Sequence, residues 1–169
     1  MDLLDRLLGH DAWTTRQILG LCESLTDAQL DREFDIGHRS VRATLAHLIW
    51  NMEAWSGMMA AGFDLPEARE IAKRRTIPEM TARLDRAAAI LSQVARSVSQ
   101  RGGWDEEWDD PLDDPPTRKT YGGAIAHIIT HSMHHRAQLL YLLRLLGVPN
   151  LPEGDVLSWE QQLRTSRES

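Results

Sequence analysis

The sequence predicts an all-α protein, a four-helix bundle with a long loop between its third and fourth helices. Three observations carry this expectation. Four long segments place apolar residues at spacings of three and four, no segment shows convincing strand alternation, and helix-capping residues stand at the segment boundaries. At 169 residues the chain fits one domain, read here as a core over 1–150 and a C-terminal tail over 151–169.

In the first helix Leu4, Leu7, Leu8, Asp11, Thr15, Ile18, Leu19 and Cys22 share one ridge. A short turn follows in SLTDAQL, capped by Thr26. The second helix opens with Ser40 as N-cap and carries Val41, Leu45, Leu48, Met52, Trp55 and Met59. The third opens at TIPE, where Thr76 and Glu79 have capping-box spacing and Pro78 sits in the tolerated first turn. Its stripe is Met80, Leu84, Ala87, Leu91, Val94 and Val98. The fourth begins near Thr120 and ends at GVP, a glycine stop followed by proline. Between the last two helices, residues 101–119 are acidic and proline-rich, which reads as a solvated loop or a functional lid. In the tail, Val156, Leu157 and Trp159 are available to dock on the bundle.

Composition narrows the function classes. The single cysteine excludes an internal disulfide and a Cys-rich zinc module, and fits a reducing compartment. A formal charge of -6 argues against nucleic-acid binding, which needs a basic footprint. No apolar run approaches the ~20 residues of a membrane span, and the acidic N-terminus does not read as a signal peptide. A cytoplasmic protein acting on a small molecule is the expectation.

The fourth helix holds His127, His131, His134 and His135 in the stretch HIITHSMHHRAQLL. At about 100° per residue, His131 and His135 stack on one face and share an arc with Ala124, Ile128, Leu139, Leu142, Leu145 and Leu146. Two neutral imidazoles at this spacing can chelate one divalent ion. On this segment alone, metal ligation and hydrogen-bonded core histidines stand about level. A third ligand is required, and His47 is the best placed, at the edge of the second helix's stripe on a face shared with Ala43, Asn51 and Ala54. His10 and His38, near a turn and a helix start, read as exposed histidines.

Three stretches, HDAWTTRQIL, SVRATLAHLIWNMEAW and HIITHSMHHRAQLLYLLRLLG, resemble in order the signatures of the DinB/YfiT-like family of metal-dependent enzymes. The resemblance covers 1–150 and is most specific in the fourth helix. It implies an up-down-down-up bundle, often dimeric, with metal ligands at His47, His131 and His135. Asn51, His127, His134 and Gln138 then become candidates for lining the site. Ala137 departs from the family pattern, which often has glycine there, and 101–119 matches no signature of the family.

A three-histidine site leaves one divalent ion per chain with open positions, and zinc, nickel, iron and manganese all suit such a donor set. The ion acidifies a bound water or activates a bound thiolate. The resemblance favours the latter, as S-transferase chemistry with a low-molecular-weight thiol cosubstrate. The alternatives are a metal-dependent hydrolase or a non-enzymatic stress-response bundle with a structural metal site. Asp11 interrupts an apolar ridge, so it reads either as a hydrogen-bond acceptor behind a ligand imidazole or as a core carboxylate paired with an arginine. Glu53 lies about 120° from His47 and is rejected as a proton acceptor, while Arg136 reads as structural. Because ligand imidazoles must be neutral, metal affinity is expected to fall through the histidine range near ~6.5. Finally, Ile129, Met133 and Leu140 form a second apolar stripe opposite the histidines, which predicts a homodimer unless the tail covers it.

Overall fold

In the computed structural model, which describes residues 1–168, the elements are α1 (Leu3–Cys22), α2 (Asp27–Leu30), α3 (Val41–Met59), α4 (Leu65–Ile71), α5 (Ile77–Arg101), β1 (Glu107–Asp110), β2 (Thr117–Thr120), α6 (Tyr121–Leu145) and α7 (Val156–Glu168). The four long helices are the four read from periodicity. The caps act as their chemistry dictates. Ser40 accepts from the Ala43 N–H, Thr76 and Glu79 close a reciprocal capping box, Thr26 caps α2, and Thr120 caps α6. Gly102 ends α5 with φ 69°, a left-handed conformation that a side chain would resist.

Cross-helix contacts give the direction of each helix. Arg16 meets Asp85 and Asp5 meets Arg96, so α1 and α5 are antiparallel. Arg42 donates to the Arg75 carbonyl and Glu53 pairs with Arg83, so α3 and α5 run in parallel. His47 faces His131 and Trp55 faces His127, so α3 and α6 are antiparallel. The bundle is therefore up-down-down-up. Two parallel neighbours need a connection that travels the length of the bundle. Residues 60–76 make that crossover and carry α4, an element that periodicity did not reveal.

Ile18, Leu45, Leu48, Met80, Leu84, Ile128, Leu139 and Leu142 fill the centre. Each such side chain contributes about 1.5–3 kcal/mol on burial. Arg83 also lies inside, its guanidinium forked onto Glu53 at 2.9 and 2.7 Å. That engagement accounts for Glu53 as a structural group.

Three expectations need correction. The acidic segment read as a loop contains an antiparallel hairpin with Trp108 opposite Lys119. Its charge is partly neutralised within it, because the Lys119 ammonium bridges Asp110 at 3.2 Å and Asp113 at 2.6 Å. The second apolar stripe of α6 is not a free face. Ile129 and Leu140 pack against the core and only Met133, 58 % exposed, is open. Leu7 and Leu145, placed on buried arcs by the helical wheel, are exposed.

The tail folds back on the bundle. His10 donates from Nε2 to the Gly154 carbonyl at 2.8 Å, and Arg6 pairs with Glu160 on α7 at 2.6 Å. Trp159 is buried over Gly9, where a Cβ would lie 2.4 Å from the indole. Glycine is required there for the ring to seat. Among the described residues, no helix is long and apolar enough to cross a membrane.

Candidate metal centre

The α3–α6 seam brings together histidines from two helices and a loop. His131 Nε2 lies 3.1 Å from His47 Nε2 and 3.2 Å from His135 Nε2. The loop before α3 adds His38, whose ring stacks on His47 with centroids 3.7 Å apart. His38, His47 and His135 also offer ring nitrogens within 4.8 Å of one another, a group that could hold a metal ion. Sequence reasoning set His38 aside because it precedes the helix and carries no periodic signal. Its position two residues before the Ser40 cap is what delivers it to His47.

Two overlapping triads are thus present, and their spacing separates them. Nitrogens at ~2.0–2.1 Å from one ion lie about 3–3.4 Å apart. The two separations at His131 match that range as they stand, whereas the His38 trio is held only within 4.8 Å. Imidazole chemistry points the same way. Each ring nitrogen presents one in-plane lone pair or one N–H, so His131 Nε2 cannot form full hydrogen bonds to both neighbours at once. A cation at the point of convergence resolves this conflict, and the donor set fits one.

Gln138 orders the group from behind. Its Oε1 accepts from His135 Nδ1 at 2.8 Å, and its amide donates to His134 Nε2 at 3.0 Å. The proton on His135 is thereby fixed at Nδ1, and the Nε2 lone pair faces the cluster. Gly37, at φ 48°, passes so close that a Cβ would stand 2.5 Å from Gln138 Oε1. We predict that Gln138→Leu weakens metal affinity by roughly 10–100-fold while leaving the melting temperature nearly unchanged. Titration of the variant checks this, and wild-type affinity would remove Gln138 from any supporting role.

Burial keeps the imidazoles neutral. Desolvation, assisted by the charge of neighbouring imidazoles, lowers His47 from the ordinary 6.5 to about 4 and His131 likewise to about 4. His135 is lowered too, chiefly by desolvation, with the Gln138 hydrogen bond opposing. Proton competition therefore starts at lower pH than the unperturbed histidine range suggested. Between 6.5 and about 4 the unfolded chain binds protons that the fold refuses, so stability falls as pH descends through this window and is level above it. Urea midpoints of metal-free protein should follow that course, with a shallower decline in His47→Gln/His131→Gln. An identical slope in the double variant would contradict it.

The remaining candidates divide clearly. His127 is exposed and leans on Trp55 at 4.7 Å between centroids. It thus extends the aromatic wall toward Trp108, whose ring meets Trp55 edge-on at 6.0 Å. Asn51 is half-buried with its Oδ1 unpartnered, as is His131 Nδ1. Asp11 makes no hydrogen bond to an imidazole. Its carboxylate takes the Arg136 guanidinium, both groups fully enclosed, and Arg136 also reaches Thr15 at 3.3 Å. The role of acceptor behind a ligand imidazole is therefore not the one Asp11 fills.

The DinB family model matches residues 1–163, nearly the whole chain. The chain belongs to the DinB family. A search of curated proteins returned no match. In this DinB-family chain the histidines do not sit at the centre of the bundle. His135 is buried at 7 % exposure, His131 and His47 are half-buried, and His38 is open to solvent, so the cluster occupies the lip of the α3–α6 seam.

Proposed function

We propose that this chain is a metal-dependent enzyme in which His47, His131 and His135 hold one divalent ion, acting as a thiol-dependent S-transferase on a small molecule. The observation that carries the reading is the convergence of three Nε2 atoms at 3.1 and 3.2 Å on the accessible edge of the bundle. A divalent ion held there supplies positive charge that lowers the pKa of a thiol or water brought to it. The protein's own contribution is positional. Gln138 aims His135, burial keeps the ligand imidazoles deprotonated, and His38 forms the outer wall by stacking on His47.

Openness favours an enzyme over a closed structural site. A structural centre calls for four protein ligands. Cys22 is buried in the core, the histidine group contains no carboxylate, and the fourth imidazole, His38, stands exposed on the solvent side of His47. Metal-loaded protein incubated with low-molecular-weight thiols and an aryl halide is expected to consume both, and His131→Ala is expected to consume neither. Ester hydrolysis without thiol consumption would move the assignment to a hydrolase.

A further inference from the structure

The crossover between α3 and α5 does more than connect them. It lays α4 and the residues after it beside the histidines and leaves a groove of about 380 Å³. His38, His47, Trp50, Arg69 and Arg75 line this groove together with three alanines. The volume is at the small end of ligand pockets, the size of a metabolite. Its charge is unusual for this chain, which carries 25 acidic against 19 basic residues. Two guanidinium groups line the groove and no carboxylate does.

Neither guanidinium is neutralised. Among the described residues Arg69 forms no ion pair, although its own helix contains Glu67 and Glu70. Glu70 is engaged elsewhere, by Lys73 at 2.6 Å. The Arg75 side chain donates only to the Ala72 carbonyl, at 3.2 Å. A cleft lined by one sign of charge concentrates counter-ions, and the planar fork of arginine matches carboxylate and phosphate oxygens in pairs. Trp50, half-buried in the same wall, offers an apolar face for the body of a ligand.

We propose that this groove binds the anionic end of the substrate, a carboxylate or phosphate held by Arg69 and Arg75, with its body against Trp50 and its reactive end toward His47. This rests on the reading of the histidine cluster as the reactive centre. The substrate class is thereby a small organic anion, which a neutral electrophile of the same shape does not replace.

The test uses benzoate, phenyl phosphate and neutral benzamide as probes, with binding followed by titration calorimetry on metal-loaded wild type and Arg69→Gln/Arg75→Gln, and on His131→Ala after the same metal treatment. Wild type should bind at least one anion about tenfold or more tighter than benzamide, and the stronger of the two names the head group. The double arginine variant should lose that preference while keeping its metal. In His131→Ala the preference should persist, because the arginines are intact. Equal binding of anion and amide by wild type would overturn the proposal, as would a preference that survives the double arginine variant. The metal reading fails separately, if His131→Ala keeps its ion, and that result leaves the anion preference to be judged by the arginine variant alone.

Discussion

Asp11→Ala is expected to destabilise the fold by about 3–5 kcal/mol, the range for removing one partner from a buried ion pair. The residue is 1 % exposed and Arg136 3 %, so the variant leaves a guanidinium inside the α1–α6 contact with only the Asp11 carbonyl and the Thr15 hydroxyl, each at 3.3 Å. Neither carries a compensating charge. The loss should appear as a lower urea midpoint. Replacing both partners by apolar residues, as in Asp11→Leu/Arg136→Met, should restore most of it, because two desolvation costs disappear together. A loss below about 1 kcal/mol in Asp11→Ala would mean that Arg136 escapes to water and that the pair does not organise this seam.

His131→Ala should have the largest effect on the metal. His131 Nε2 is the nitrogen common to both short contacts, so its removal deletes the vertex of the triad. The affinity loss should exceed the roughly 10–100-fold expected for a supporting residue such as Gln138. His38→Ala should be much milder, since His38 lies exposed at the outer edge of the cluster. His134→Ala should also be mild, because His134 is exposed and reaches the cluster only through Gln138 and an edge contact with His135. Equal losses in His38→Ala and His131→Ala would show that the ion sits nearer the loop than the Nε2 convergence indicates. Fold stability above pH 6.5 should change little in His131→Ala, because burial holds that imidazole neutral there.

Much of this was legible in the sequence because its signals are local. Ser40, Thr76 with Glu79, and Thr120 cap helices wherever the chain goes, and the stripes from Leu45 to Met52 and from Met80 to Val98 follow from periodicity alone. The spacing of His131 and His135 fixes a shared face, and His47 was accessible as a helix-edge residue beside small side chains. What escaped depends on tertiary placement. The hairpin strands EWDD and TRKT are too short and too charged to show alternation, and they pair because the helix ends bring them together. His38 lies in a loop, and no period points to its stacking on His47. Asp11 was recognised as a carboxylate in need of a partner, but the choice between an imidazole and Arg136 lay 125 positions away. The wheel for α6 also placed the histidines too deep, because it gives direction around an axis and not distance from the bundle centre.

The most direct measurement of the central claim is calorimetric titration of untagged, metal-stripped wild-type protein with zinc and with nickel at pH 7.5, alongside the His47→Ala/His131→Ala/His135→Ala variant. Wild type should bind one ion per chain saturably, with little proton release because the ligand imidazoles are already neutral, and the triple variant should show no saturable binding. Wild type that takes up no ion, or a triple variant that still binds one per chain with wild-type affinity, would contradict it.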